Sequence, residues 1–153
     1  MKKTKKKSNL YRVEKPWGYY EDYFRNDKVV FKKIVVNPGE NISYQIHNNR
    51  DEFWYIASGS GAFVIEDQTN DIIKAEDYPY GMTSYYIKHG WKHGIKNTGK
   101  DPLIIYEMQF GKPDEEDIFR LQDKYGREDE ATEEEIENVE IQDNTIGTED
   151  ESD

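Results

Sequence analysis

The sequence predicts an all-β domain whose antiparallel strands close into a barrel or stack as a sandwich. Three observations lead there. Short runs rich in Val, Ile, Tyr and Phe recur between residues 11 and 110, each bounded by Gly, Pro, Asn or Asp. Within them apolar and polar residues tend to alternate, the period that places them on opposite faces of a strand. Only one stretch, Asp114 to Tyr125, carries helical spacing.

From Tyr11 to Asp27 the segment KPWGYYEDYF bends at Pro16-Trp17-Gly18 and then runs as an aromatic strand, with Trp17 assigned to the core. Lys28 to Val36 is β-branched and stops at Asn37-Pro38-Gly39, a turn in which Gly is free to take positive φ. Strands follow at Ile42 to His47, Phe53 to Ala57 and, after the small residues Ser58 to Gly61, Ala62 to Glu66. Asp67 to Asp71 reads as a turn and Ile72-Ile73 as a short strand, ahead of a less regular Ala75 to Met82. Ser84 to Ile87, Trp91 to Lys96 and Leu103 to Phe110 complete the strands, the last entered through Asn97 to Lys100. Asp114 to Tyr125 is the predicted helix: its acidic first turn suits a helix N-terminus, and Ile118, Leu121 and Tyr125 share one face. Most of the 12 Tyr, 6 Phe and 3 Trp fall within strands, so their first role is core and cross-strand packing.

At 153 residues the chain suits one domain with a real core. Its formal charge of −11 comes mainly from residues 128–153, which hold thirteen acidic and no basic residues. Met1 to Lys7 hold five lysines, and residues 8–127 carry 19 acidic against 16 basic, a net of −3. The organisation read from this is a basic, disordered N-terminus over residues 1–8, a domain over 9–127 and an acidic, disordered tail over 128–153, too poor in apolar residues to offset ordering entropy. Five lysines without interleaved aromatics do not point to nucleic acid. No apolar run has the length of a signal-peptide core or a membrane span, so the cytoplasm is the expected location. The absence of cysteine excludes disulfides and thiolate ligands within the chain.

Metal-ligand chemistry concentrates between Gly39 and Gly61. Gln45 and His47, two apart, face the same side of a strand, and Glu52 opens the next apolar run. A turn at Asn48 to Asp51 would fold that run back beside the first and gather an amide oxygen, an imidazole and a carboxylate. The remaining histidines are His89 and His93, either of which could complete a mixed nitrogen and oxygen site for a divalent metal. The competing reading is that these are ordinary surface residues on strands. The spacing is Gly39, five residues, Gln45-x-His47, four residues, Glu52, six residues and Gly59, then Gly90-x-x-His93-x-x-x-Asn97. It resembles the two-part cupin motif, with Gln45 at the place of a first histidine.

Further segments are similar to the C-terminal isomerase domain of type II phosphomannose isomerases, the bifunctional mannose-1-phosphate guanylyltransferase family. Lys15 to Tyr19 resembles R-P-W-G-x-Y; Ser43 to His47, Arg50 to Trp54 and Ser58-Gly59 resemble S-x-Q-x-H, R-x-E-H-W and S-G. Tyr106 to Gly111 resembles I-E-V-Q-x-G, and Asp117 to Arg127 resembles D-I-x-R-x-x-D-x-Y-G-R. The match runs from about Arg12 to Arg127. It implies a single-domain cupin, an antiparallel double-stranded β-helix or jelly-roll barrel, here with a short C-terminal helix. It also implies a divalent metal, most simply zinc, held by Gln45, His47, Glu52 and His93, with His89 outside the ligand set. Arg50 is then placed to act on a substrate phosphate or an enediolate, Glu107 to transfer a proton, and Arg120 and Arg127 to close over a phosphate. Trp54 and Trp91, near the ligands in sequence, are candidates to line the pocket.

The implied activity is mannose-6-phosphate isomerisation, with a small sugar phosphate as partner and edge-strand pairing into a homodimer. The guanylyltransferase activity is not expected, because its glycine-rich phosphate loop is missing from these residues. Several positions depart from the family. Asn48, Asn49 and Phe53 stand where it often has histidine, Asp51 brings a charge beside the site, Lys88 replaces a proline and Lys15 an arginine. Two other readings therefore stay open: a non-catalytic cupin that binds a sugar or nucleotide sugar as a regulatory or structural module, and a different cupin enzyme such as a nucleotide-sugar epimerase or dioxygenase.

Overall fold

The structure, a computed structural model, describes residues 11–72 and 84–127. The expected basic start, the irregular Ala75 to Met82 and the acidic tail lie outside these residues. Eleven strands are described: β1 (Tyr11–Lys15), β2 (Gly18–Arg25), β3 (Val29–Val36), β4 (Asn41–Ile46), β5 (Arg50–Ser58), β6 (Gly61–Ile65), β7 (Gln68–Ile72), β8 (Ser84–Ile87), β9 (His93–Asn97), β10 (Leu103–Gly111) and β11 (Phe119–Gln122). Every pairing is antiparallel. One sheet has the order β1-β2-β3-β10-β5-β8 and the other β11-β4-β9-β6-β7. Together they form the double-stranded β-helix that the cupin resemblance implies, and no described helix could cross a membrane.

Alternation decides which side chains enter the barrel. Ile34 and Val36 of β3, Trp54 and Ile56 of β5, Ile95 of β9, and Leu103 and Ile105 of β10 are buried in one cluster. Each such side chain contributes roughly 1.5–3 kcal/mol of burial. Trp17 joins them, as its place in the sequence predicts. The same inward phase changes character toward one end. Ile105 faces Ile56 across the β10–β5 pair, then Glu107 faces Trp54 and Gln109 faces Glu52. Lys32 stands opposite Glu107, and Gln45 opposite His93. One end of the barrel is thus packed with hydrocarbon and the other with buried polar groups. Outside, Tyr23, Phe31 and Tyr106 stack with ring centroids 5.8–6.3 Å apart.

Gly59 marks the corner where the chain leaves one sheet for the other. Its φ is +98°, and a Cβ there would lie 2.8 Å from the Leu103 Cα and the Pro102 oxygen, so a side chain is excluded on both counts.

Three expectations are corrected. β4 and β5 are not a hairpin: they belong to opposite sheets, and the turn at Asn48-Asn49 is a crossing between layers. The turn expected over Asp67 to Asp71 is a two-residue reversal at Glu66-Asp67, with φ of 49° and 64°, and β7 has already begun at Gln68. The predicted helix over Asp114 to Tyr125 does not form. Asp114 to Ile118 makes tight turns, and Phe119–Gln122 is β11, paired with the edge of β4. Unpaired strand backbone on β4 and a polar barrel mouth outweigh a helical spacing of three apolar residues.

Candidate functional site

The polar end of the barrel is assembled from both sheets. β4 and the residue after it direct Ser43, Gln45 and His47 inward, β9 brings His93 beside Gln45, and β5 brings Arg50, Glu52 and Trp54 from the facing sheet. His47, Glu52 and His93 are each only 1–2% exposed, and their donor atoms lie within 4.8 Å of one another. His47 Nε2 is 3.0 Å from Glu52 Oε1, and His93 Nε2 is 3.4 Å from Glu52 Oε2.

Backbone carbonyls set the tautomers. His47 Nδ1 is 2.6 Å from the Asp117 oxygen and His93 Nδ1 is 2.9 Å from the Trp91 oxygen. A carbonyl only accepts, so each Nδ1 carries the hydrogen and each Nε2 turns a lone pair toward the centre. Arg50 Nη2 donates to His47 Nε2 at 3.1 Å, whereas His93 Nε2 is buried with no hydrogen-bond partner and faces a carboxylate. Two acceptors at that distance call for positive charge between them. A divalent cation fits this donor set of two imidazoles and one carboxylate. Burial pushes the His47 pKa down, favouring the neutral ligand form. Burial alone would raise Glu52, and it is positive charge at the facing imidazoles, on the rings themselves or on a cation they hold, that keeps it well below the ordinary carboxylate range.

The surrounding groups are equally determined. Arg50 donates through Nε to Glu52 Oε1 at 3.2 Å and through Nη1 to the Asp114 oxygen at 2.9 Å. The Trp54 indole donates to Glu52 Oε2 at 3.1 Å and to Glu107 Oε2 at 2.9 Å, joining the two carboxylates. Gln109 holds the other Glu107 oxygen at 2.6 Å. Burial, followed by the charge of Glu52, pushes Glu107 up to about 7, against the opposing pull of Lys32 and Arg50. Gln45 accepts from Ser43 Oγ at 2.7 Å through Oε1 and turns its amide nitrogen to His47 Nε2 at 3.2 Å. As placed it offers the centre a donor; a half-turn of the amide would offer the oxygen.

A single cavity runs from these groups to the surface, lined among others by Lys15, Lys32, Arg50, Glu107, Arg120 and Arg127. Arg120 faces Gln45 across the β11–β4 pair, and Arg127 is bound to Asp123 at 2.7 and 3.0 Å. Trp54 lines the cavity, but Trp91 does not: it packs against the core and contributes its carbonyl to His93. His89 lies outside the triad, bound to Asp51 at 2.8 Å.

Asp51 does not bring its charge to the site. It faces the other side of β5, held by Tyr86 and His89. Phe53 faces outward on the same strand and pairs with Tyr86 and Met108, so its difference from the family does not reach the ligands. Asn48 and Asn49 donate their backbone N–H groups to the Asp117 carboxylate at 2.9 and 2.8 Å. Sequence reasoning missed Ser43, Lys32, Gln109 and Glu115. Lys32 left a signal: it shares the inward phase of Val30, Ile34 and Val36. Glu115 left none, since its contact depends on where a turn crosses the barrel mouth.

Residues 2–123 match the family described as mannose-6-phosphate isomerase C-terminal. Among curated relatives, a mannose-1-phosphate guanylyltransferase of Escherichia coli K12 is 34% identical over 116 residues, 75% of this chain and 23% of that protein. The alginate biosynthesis protein AlgA of Pseudomonas aeruginosa is 36% identical over 120 residues, 78% of this chain and 24% of that protein. The chain thus spans about a quarter of the length of these relatives. Among solved structures, the capsular polysaccharide assembling protein CapF of Staphylococcus aureus superposes with a TM-score of 0.62 at 17% identity, over 74% of this chain and 34% of that one. A predicted oxalate decarboxylase of Thermotoga maritima gives 0.54 at 22% identity, over 69% and 94%. These two likenesses show the fold alone. The family match over most of the chain, together with relatives more than 30% identical across the same barrel, makes this chain a member of the mannose-6-phosphate isomerase C-terminal family.

Proposed function

We propose that the chain is a divalent-metal-dependent sugar-phosphate isomerase of the mannose-6-phosphate type, serving nucleotide-sugar and polysaccharide synthesis. The observation that supports this best is the pair of buried carboxylates joined by the Trp54 indole, Glu52 facing the two imidazoles and Glu107 pushed up by burial. Aldose–ketose isomerisation requires a base of near-neutral pKa beside a centre of positive charge. His47, Glu52 and His93, with Gln45 once its oxygen turns inward, would hold the ion, which we take to be zinc. Bound there, it would supply Lewis acidity toward the sugar oxygens.

In this reading Glu107 removes the C2 proton of the aldose to give an enediolate and returns it to C1, while the O2 hydroxyl proton passes to O1. Arg50, already fixed to Glu52 and Asp114, supplies charge to the developing oxyanion. Trp54 keeps the two carboxylates at fixed separation, and Arg120 and Arg127 lie toward the substrate's anionic end. The same reading makes the protein cytoplasmic and a homodimer, joined through one of the edge strands β1, β8, β7 or β11; light scattering after size-exclusion chromatography tests the dimer.

Metal analysis of purified protein with a coupled assay of mannose 6-phosphate to fructose 6-phosphate conversion tests the proposal. Bound metal with turnover is expected. Metal and hexose-phosphate binding without turnover would transfer the site to a binding module.

A further inference from the structure

Lys32 is a lysine in a core position. Its side chain on β3 is 4% exposed, and Nζ lies 2.7 Å from Glu115 Oε1 and 4.2 Å from the centre of the Tyr20 ring. Glu115 is its opposite in character. Its side chain is 42% exposed, it belongs to the turn between β10 and β11, and the same oxygen also accepts from Arg25 Nη2 at 3.1 Å. An ammonium out of water needs an anion close by, and a half-solvated carboxylate on a turn is the anion that leaves most easily.

The cavity beyond this pair has an excess of positive charge: Lys15, Lys32, Arg50, Arg120 and Arg127 against Glu52, Glu107 and Glu115. Glu52 and Glu107 are buried near the triad and Asp123 holds Arg127, so Glu115 is the carboxylate that faces Lys32. Lys15 registers the imbalance. Burial lowers its pKa first, and repulsion from Arg127, Arg120 and Lys32 adds to that against the opposing pull of Glu115. Lys32 stands one strand from Glu107, so an anion bound at its ammonium keeps the rest of a hexose within reach of the triad.

We propose that Lys32 anchors the phosphate end of the cavity, and that Glu115 fills this subsite as an internal anion which the ligand's phosphate displaces. The inference rests on reading the cavity as a sugar-phosphate site. A phosphate dianion offers three acceptor oxygens where Glu115 spends one on both Lys32 and Arg25, so it can take over the ammonium and keep oxygens for other cations that line the cavity. The displaced carboxylate returns to water.

The test is calorimetric titration of inorganic phosphate, at fixed ionic strength and without turnover, into the full chain and its Glu115→Gln, Lys32→Met and doubly substituted variants, with a melt of each. If Glu115 fills the subsite nine-tenths of the time, Glu115→Gln should bind phosphate about tenfold more tightly. Lys32→Met should cancel that gain in the double variant. Unchanged or weaker binding by folded Glu115→Gln overturns the proposal, as does a double variant that binds as tightly as Glu115→Gln. Should Lys32→Met fail to fold, the Glu115→Gln comparison decides by itself. The expected pattern in a protein that never turns over mannose 6-phosphate would overturn the isomerase and leave the subsite standing. Turnover with a Glu115→Gln phosphate affinity equal to wild type would do the reverse.

Discussion

His47 Nδ1 lies 2.6 Å from the backbone oxygen of Asp117, so a residue in the turn beyond β10 sets the orientation of an imidazole just after β4. The Asp117 side chain anchors that turn on the N–H groups of Asn48 and Asn49. Asp117→Ala should free the turn, let the His47 ring rotate and weaken the affinity for an added divalent metal about 10–100-fold. Competition with a chromophoric chelator measures this, and an unchanged affinity would show that His47 needs no such support.

Arg50 and His93 should separate substrate from ion. Arg50→Ala is expected to lower turnover by about 10²–10³ while metal content per chain is kept, because the guanidinium is not a ligand. His93→Ala should lose both. Equal metal loss in the two variants would contradict the assignment of Arg50.

Glu107→Gln preserves the shape of the side chain and an acceptor for Trp54 but removes the base. Turnover should fall by about 10²–10⁴, with metal content and melting temperature near those of the wild type. A variant retaining more than a tenth of the activity would leave Glu107 a structural group only.

Glu115 makes a pH prediction whose sign follows from its surroundings. Burial opposes ionisation, but Lys32 outweighs it, with further help from Arg50 and Arg25, and the pKa falls to about 2. A carboxyl whose folded value is depressed stabilises the fold above its ordinary value of about 4.3, and that stability is lost as pH drops through the folded value. Between about pH 4.5 and 2, the wild-type melting temperature should fall more steeply than that of Glu115→Gln. Parallel curves would mean that Lys32 does not hold the Glu115 carboxylate ionised in the fold.

Gly59→Ala should destabilise by about 1–3 kcal/mol, since it combines a left-handed backbone with a 2.8 Å approach to Leu103 and Pro102. Denaturant unfolding checks it. Gly39→Ala, where φ is +77° but nothing lies within 4 Å of the new Cβ, separates the backbone cost from the clash.

Much of the barrel was legible because alternation is local: the phase of β3, β5 and β10 is written in consecutive residues. The shared face of Gln45 and His47 follows from the same rule. What alternation cannot say is which sheet a strand joins, and so Glu52 was expected beside His47 in a hairpin when it faces it across the barrel. Ile118, Leu121 and Tyr125 carried helical spacing, but three apolar residues could not compete with the open edge of β4. Asp51 was misjudged by adjacency, since the neighbour of a buried residue on a strand faces away. Lys32 was overlooked because a charged residue in a β-branched run reads as an exposed one until its partner on a distant turn is known.

The turn between β10 and β11 touches the site at three points: the Asp117 carbonyl on His47, the Asp114 carbonyl on Arg50 and the Glu115 carboxylate on Lys32. Two of the three are main-chain atoms, which no side-chain substitution can delete. Apart from Asp117, whose carboxylate anchors the turn, and Glu115, which supplies the third contact itself, tolerance here is a matter of length rather than identity. Many replacements within residues 112–118 leave the carbonyls in place, whereas inserting or removing a single residue shifts all three contacts together. The segment behaves as a measured spacer, and the site tolerates a change in its spelling better than a change in its count.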